Sequence, residues 1–385
     1  MPEIKLILFF LSKLQNSENL RAPSDLNSID WDLFVDLSIR HKVLMLIFQS
    51  LMIENQISVP KVIKDKLKKI YRINLMRNIS VSSNLIQIVN MLDNNRIISV
   101  PFKGAVLSEF VYHDPMLRQF ADLDLLISKK DAQKTINLFL KTGYELKIDL
   151  KQDQFKNYVK FKKSIEIKEK KSDIWVDLHW EFTGNYSIKP FELEYVRNRL
   201  VQINFLNQKV SHLAKADLLA CLCLHGCKNI WDNLESIFCI ALVFETFNTG
   251  DIERLCDISS EKHCKKAVGL ALFLCIHFFK IELTDTIKNH LFIYPDLKKI
   301  SLPIIQKLTL EKHPPINIGF RFSKFNLDVR DSLVDKIQYV LRMLFIPSFV
   351  DWNNNNFPNQ FPILYFFARP TRLIKRYLSQ VLHKL

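Results

Sequence analysis

The sequence predicts an α+β protein that is mostly helical and holds one small mixed β-sheet. Glycine is scarce, with 7 residues in a chain of 385, whereas leucine, isoleucine, phenylalanine and lysine are abundant, and this composition favours helices over turn-rich β architecture. The hydrophobic fraction of 48% is too high for a disordered chain. We therefore expect two or three units around a real core, with the sheet between two helical regions.

The first helical region is expected to cover residues 1–95. Ser28 precedes an apolar periodic segment, and we expect it to cap a helix that begins with Trp31. A longer periodic stretch runs from Lys61 to about Leu92 and predicts a single long helix.

The sheet is expected within residues 96–183. A β-branched run breaks at Gly104 and continues into helix-compatible sequence, so it predicts a strand, a glycine turn and a helix. Another strand follows around Asp122. After it we expect a helix over Lys129–Thr142 and then strands that end at Phe182.

The second helical region is expected to cover residues 184–385. Helices are predicted to about residue 300, where a loop is marked by three prolines, Pro303, Pro314 and Pro315.

The tail from Asp335 is predicted to hold helices that are separated at Asn353–Asn356. Its last stretch, Arg369–Leu385, is basic and amphipathic. Such a helix lies either on an anionic lipid surface or on the protein's own core.

Two acids, Asp122 and Asp124, lie inside the apolar stretch that should form the second strand. Because the faces of a strand alternate with a period of two, both carboxylates point to one side while Leu123 and Leu125 pack on the other. Two like charges so close together repel each other unless a cation lies between them. Mg²⁺ fits, since it prefers carboxylate oxygens together with substrate phosphates. The alternative is a solvated sheet edge.

Further groups near this pair suit phosphate and metal. Gly104, at a strand-to-helix junction, lets the backbone approach a ligand, and the helix start supplies unpaired N–H groups for phosphate. Lys103 adds a cation. Asp177 lies in a second strand-like run and shares a face with Trp175 and His179. Three acids from two strands, with a glycine turn, are typical of a metal site for phosphoryl or nucleotidyl transfer.

Short motifs of a recognisable order extend over most of the chain. Those of the core are Lys103-Gly104, Tyr112, Arg118, Asp122-x-Asp124, Gly143-Tyr144 and Asp177-Leu-His179-Trp180. Those of the flanking regions are Ile29-Asp-Trp31, Arg40-His41-Lys42-Val43, His225-Gly226, Trp231-x-x-Leu234 and Arg369-Pro370-x-Arg372-Leu373. In this order and spacing they resemble the bacterial uncharacterised nucleotidyltransferase family within the DNA polymerase β-like superfamily.

The resemblance implies a nucleotidyltransferase core with helical flanks. Asp122 and Asp124 would hold a divalent metal, Mg²⁺ or Mn²⁺, and Asp177 would be the third carboxylate. The substrate implied is a nucleoside triphosphate, and its predicted contacts are Lys103, Gly104, Ala105 and Arg118. For Arg118, an ordinary ion pair to the acids is the alternative to a triphosphate contact.

The chain departs from the wider superfamily pattern at the turn. That pattern has Gly-Ser or Gly-Gly, whereas this chain has Gly104-Ala105, which keeps the backbone donors and loses a hydroxyl. The segment between Gly104 and Asp122 is also long enough for an extended helix and a turn.

We therefore expect a metal-dependent nucleotidyltransferase that moves a nucleoside monophosphate from NTP to an acceptor. The acceptor is a small molecule, a protein or RNA. The alternative is a catalytically inactive nucleotide- or RNA-binding module that kept the fold.

The formal net charge of +14 suits an acidic partner such as a nucleoside triphosphate, RNA or an anionic surface. Much of this charge lies in the Lys129–Lys171 region, which is either an RNA surface or a solvated lysine-rich face. Phe155, Tyr158 and Phe161 lie there at a spacing that suits base stacking and a packed face equally.

Seven cysteines, without the spacing of a disulfide framework, suit a reducing compartment. Four potential ligands, Cys221, Cys223, His225 and Cys227, suggest zinc, but on a predicted helix they do not share one face. Ordinary buried thiols are the preferred interpretation.

No segment reaches the ~20 apolar residues that span a bilayer. The apolar run Leu6–Leu11 lacks the basic flank and the cleavage site of a secretory signal. A cytoplasmic location is expected.

Overall fold

The structure is a computed structural model that describes most of the chain. The described residues are 1–15, 20–53, 57–148, 152–171, 174–182, 186–310, 324–354, 357 and 363–382.

Four helices form the N-terminal region: α1 (Pro2–Leu14), α2 (Trp31–Arg40), α3 (Leu44–Ile53) and α4 (Lys61–Asn94). The long helix predicted from Lys61 is confirmed as α4. Its buried side chains, among them Leu67, Leu85 and Leu92, recur with the helical period and turn one face to the core.

The helix predicted from Trp31 is also confirmed, but Ser28 is not its cap. The cap is Asp30, whose carboxylate accepts a hydrogen bond of 3.0 Å from the backbone N–H of Leu33. Ser28 instead donates its hydroxyl to the carbonyl of Asp25. A side-chain cap acts from the residue directly before the first helical residue, and Ser28 lies too far upstream.

The core holds a mixed sheet of five strands: β1 (Ser99–Pro101), β2 (Asp122–Ile127), β3 (Tyr144–Leu146), β4 (Ser164–Glu169) and β5 (Trp175–His179). Their order is β1-β2-β5-β4-β3. Strands β2 and β5 are parallel and the other neighbours are antiparallel. Three helices accompany the sheet: α5 (Gly104–Tyr112), α6 (Ala132–Lys141) and α7 (Gln152–Phe161). The predicted α+β class is confirmed.

A second, two-stranded sheet interrupts the region that the sequence predicted to be helical. Its strands β6 (Val201–Phe205) and β7 (Gln208–His212) are antiparallel. Leu206 and Asn207 join them with φ values of 46° and 63°, as in the two-residue turns that match the twist of a hairpin. Such turns usually contain glycine, and its absence here hid the hairpin from sequence analysis.

The remaining elements are helices: α8 (Leu193–Val196), α9 (Lys215–Lys228), α10 (Leu234–Glu245), α11 (Thr249–Glu261), α12 (Lys265–Phe279), α13 (Asp285–Leu291), α14 (Leu297–Thr309), α15 (Lys324–Asp328), α16 (Leu333–Phe345), α17 (Phe349–Asn354) and α18 (Leu364–Leu382).

Pro303 was predicted to mark a loop but lies inside α14. The helix continues because its apolar face, which includes Ile300, Ile304 and Leu308, is buried, and this packing outweighs the hydrogen bond that proline removes. Pro314 and Pro315 lie outside the described residues.

Two hydrophobic clusters form the core. The larger one joins α1 to α4 with the helices from α9 to α14. The smaller one lies against the sheet and includes Trp352 of α17 and Tyr365 of α18, whose rings stack with centroids 3.9 Å apart. The first turns of α18 therefore pack on the protein's own core. No helix within the described ranges is long and apolar enough to cross a membrane.

Candidate active site

The parallel pair β2·β5 brings two acids face to face. Asp124 and Asp177 are register partners, so their side chains leave the sheet on the same side. The ring of His179 lies between them, with its Nε2 3.1 Å from Asp124 Oδ1 and 3.0 Å from Asp177 Oδ2. On the opposite face of β2, Leu123 and Leu125 are buried, as predicted.

Lys103 completes the charge balance around Asp124. Its Nζ lies 3.1 Å from Asp124 Oδ1, and only about a tenth of either side chain is exposed. Burial disfavours the charged form of Asp124, but Lys103 and His179 outweigh it and hold the pKa of this carboxyl well below its usual range. Burial likewise opposes the charge on His179, yet Asp177 and Asp124 raise its pKa to about 9.

Asp122 occupies a different environment. It is the first residue of β2 and is exposed, and its carboxylate does not belong to the group formed by Asp124, Asp177 and His179. Desolvation by the surrounding protein and then the charge of Asp124 raise the pKa of Asp122. No ion pair engages Asp122 among the residues that the structure describes.

The donor set of this group fits a divalent cation. One ligand atom each from Asp124, Asp177 and His179 lies within 4.8 Å of the others, and no other such group occurs in the described part of the chain. Asp177 Oδ1 and His179 Nδ1 are buried and have no hydrogen-bond partner there. Carboxylate oxygens suit Mg²⁺ and Mn²⁺, whereas an imidazole nitrogen favours Mn²⁺ or another transition metal.

Gly104 begins helix α5 directly after Lys103. Its φ of +59° lies in the left-handed region, which residues other than glycine rarely adopt. A Cβ at this position would lie 3.7 Å from the Asp122 carbonyl oxygen and from the Phe120 ring, an ordinary contact distance. The backbone conformation therefore selects glycine here. Ala105 follows it and is buried.

Arg118 forms a buried ion pair with Glu235 of α10, not with Asp122 or Asp124. Its Nε and Nη2 donate to the two carboxylate oxygens at 2.6 and 2.9 Å. The hydroxyl of Tyr112 donates to the same carboxylate at 3.1 Å. Two residues of the sequence motifs, Tyr112 and Arg118, thus meet at Glu235, although 117 positions separate Arg118 from Glu235.

A cleft opens beside Lys103, between the sheet and helices α9 and α10, with a cavity volume of about 70 Å³. Its lining is polar and partly cationic. Its lining includes Lys42, Lys103, Arg118, His225, Asn229 and Asp232.

Other residues of the sequence patterns take part in packing. The ring of Trp231 lies against Gly226, where a Cβ would come within 2.4 Å of it. Phe155 and Tyr158 are buried in the cluster under the sheet. The thiols of Cys221 and Cys227 are buried, and burial raises the pKa of each to about 12, so they stay protonated.

Sequence reasoning did not foresee the participation of Glu235 or Lys42. Glu235 lacked any signal, because its partner is distant in sequence. For His179 a signal existed: it follows Asp177 by two positions and therefore shares its face.

A small mixed sheet between helical regions, with paired carboxylates on adjacent strands and a lysine-glycine helix start beside them, defines a nucleotidyltransferase-like protein. The chain belongs to the uncharacterised nucleotidyltransferase family, whose model matches residues 27–280. The family resemblance found in the sequence is thereby confirmed.

The chain is similar to a solved structure, the crystal structure of an antigenic nucleotidyltransferase-like protein from Paracoccidioides brasiliensis. It is 13% identical over 52% of this chain and 97% of that chain, with a TM-score of 0.28. No curated protein matches the chain.

Proposed function

We propose that the protein is a metal-dependent nucleotidyltransferase that moves a nucleoside monophosphate from NTP to an acceptor. The observation that carries this proposal is the register of β2 and β5, which sets Asp124 opposite Asp177, together with Asp177 Oδ1, which is buried and has no partner among the described residues. A buried carboxylate oxygen without a partner is costly unless a ligand satisfies it.

Asp124, Asp177 and His179 would hold the cation, with Asp122 as a further carboxylate on the same face of β2. When bound, Mg²⁺ or Mn²⁺ would polarise the phosphoryl oxygens and neutralise their charge. His179 carries a proton in the metal-free protein, because its pKa is about 9. Metal binding through its nitrogen therefore requires release of that proton.

The chain's own groups would then position the reactants. Lys103 is charged and next to Asp124, and together with the first N–H groups of α5 at Gly104 and Ala105 it would hold triphosphate oxygens. In the transfer, the acceptor oxygen bonds to the α-phosphorus as the bond to the bridging oxygen breaks and pyrophosphate leaves. Asp177 would accept the proton of the acceptor hydroxyl.

Label transfer from each α-labelled NTP to the components of a cell extract, with Mg²⁺ or Mn²⁺, tests this proposal. Asp124→Asn and Asp177→Asn should reduce transfer at least ~100-fold, a loss typical of removing a group that stabilises the transition state. Asp65→Asn, which neutralises an exposed acid of α4, is the matched control and should transfer like wild type.

A second measurement addresses the metal directly. Mn²⁺ with NTP should raise the unfolding temperature of the wild type and of Asp65→Asn, but not of Asp177→Asn. Equal thermal shifts in all three proteins would rule out the proposed metal site. Stabilisation by NTP without any transfer would favour the inactive nucleotide-binding module.

A further inference from the structure

The cleft beside Lys103 is lined by three parts of the chain. Lys103 and Arg118 come from the sheet region, His225 and Asn229 from the end of α9, and Lys42 from the turn between α2 and α3. A ligand that fills this cleft would contact Lys103 of the proposed metal site and both helical regions.

Two acids that line the cleft, Glu235 and Asp232, have cationic neighbours. Arg118 neutralises Glu235 through two hydrogen bonds, and Asp232 interacts electrostatically with Lys307. Lys42 is exposed, and no ion pair engages its ammonium group within the described residues. Lys103, the other ammonium group of the cleft, lies 3.1 Å from Asp124 Oδ1, so Lys42 is the lining cation without an ion pair among the described residues.

His225 adds a neutral hydrogen-bond donor to the lining of the cleft. The Asn229 side-chain amide donates to His225 Nε2 over 3.0 Å, which places the ring proton on Nδ1. Burial, followed by the charges of Lys103 and Lys228, lowers the pKa of His225 well below its usual value. The ring is therefore neutral, and its Nδ1–H has no partner among the described residues although the side chain lines the cleft.

We propose that this cleft is a phosphate-binding subsite, in which Lys42, Lys103 and the Nδ1–H of His225 hold phosphate oxygens. Two ammonium groups and a fixed neutral donor match a phosphate group better than an uncharged ligand. Of the two ammonium groups, only Lys103 has an acid, Asp124, as an ion-pair partner among the described residues. The subsite rests on the proposed function insofar as it shares Lys103 with the metal site. The phosphate comes either from the β- and γ-positions of NTP or from a phosphorylated acceptor.

Calorimetric titration of the full chain with pyrophosphate, without metal, tests the subsite. Lys42→Gln and His225→Leu should each weaken pyrophosphate binding by about tenfold, the size of one charge-assisted hydrogen bond. His225→Asn, whose amide can take the place of Nδ1–H, should lose less than His225→Leu. Lys141→Gln removes an exposed cation at the end of α6 and should bind like wild type.

Competition distinguishes the two sources of phosphate, and either source supports the subsite. Displacement of pyrophosphate by ATP but not by AMP assigns it to the triphosphate. Binding of inorganic phosphate in the presence of saturating ATP assigns it to the acceptor.

Pyrophosphate affinity that is equal in wild type, Lys42→Gln and His225→Leu would overturn the subsite, as would no binding to wild type at millimolar concentration. Because the titration needs neither metal nor turnover, a protein that binds pyrophosphate as expected but transfers no label would refute only the proposed function.

Discussion

At the scale of single residues, the candidate site depends on charge compensation. The mostly buried Asp124 has Lys103 and His179 against one of its oxygens, whereas Asp122, two positions earlier on the same face, has no ion-pair partner within the described residues. The same residue type therefore stabilises the fold at one position and opposes it at the other. Asp122 is thus the acid of this pair whose charge the protein leaves uncompensated.

Substitution of each acid by asparagine separates these two environments. Asp124→Asn should lower the free energy of unfolding by roughly 3–5 kcal/mol, because it leaves buried cations without their partner. Asp122→Asn should leave the metal-free protein as stable or more stable, since the raised pKa shows that the folded protein disfavours the Asp122 charge. Urea unfolding with a chelator measures both, and equal destabilisation by the two variants would contradict this account.

The imidazolium of His179 should make the metal-free protein less stable at high pH. Its pKa is about 9 in the folded protein and about 6.5 in an unfolded chain. The folded state therefore binds the proton more tightly, and this stabilisation is complete below about pH 6.5 and is lost as the pH rises through about 9.

Urea unfolding should show that the free energy of unfolding declines between pH 6 and 9.5, and His179 should contribute at most roughly 3 kcal/mol of this decline. His179→Gln should remove this part of the decline. An identical pH dependence in wild type and variant would assign the titration to other groups.

At the scale of elements, two helical glycines differ in the space that surrounds them. Gly226 lies in α9 where a Cβ would approach the Trp231 ring to 2.4 Å, so close packing selects glycine. Gly250 lies near the start of α11, where a Cβ would meet only the side-chain oxygen of Asn248 at 3.4 Å. The first is required for packing, and the second is not.

Gly226→Ala should therefore destabilise the protein by about 1–3 kcal/mol through overpacking. Gly250→Ala is the matched control and should be neutral or stabilising by up to about 1 kcal/mol, because alanine suits a helix better than glycine. Thermal unfolding measures both. If Gly226→Ala were as stable as Gly250→Ala, the Trp231 ring would have to move away from the added methyl group without cost.

At the scale of the whole molecule, a buried ion pair connects the core to the C-terminal helices. Arg118 precedes β2, Glu235 belongs to α10, and Tyr112 at the end of α5 donates to the same carboxylate. The geometry of the cleft depends on this connection, because Arg118 and Glu235 both line it.

Glu235→Gln should cost roughly 3–5 kcal/mol of stability, because it leaves the Arg118 guanidinium buried without its counter-charge. The matched control is Asp32→Asn, which breaks the exposed ion pair with Lys66 and should cost no more than about 1 kcal/mol. Chemical denaturation measures both. Similar losses from the two variants would mean that water reaches Arg118.

Local patterns determined the class of the protein and the position of its acids. The period of two placed Asp122 and Asp124 on one face with Leu123 and Leu125 on the other, and the helical period predicted α4, because both signals depend only on residues close in sequence. The motifs of the core and flanks determined the family for the same reason: they consist of residue types in a fixed order.

Only the tertiary structure decided which groups act together. The parallel register of β2 and β5 set Asp177 and His179 against Asp124, and packing of α10 on the core gave Arg118 its partner Glu235. Tertiary packing also lets α14 continue past Pro303, and pairing of β6 with β7 forms the hairpin at Leu206 and Asn207. These outcomes depend on contacts between distant segments, where burial and charge pairing outweigh local preference, and no pattern within a single segment contains that information.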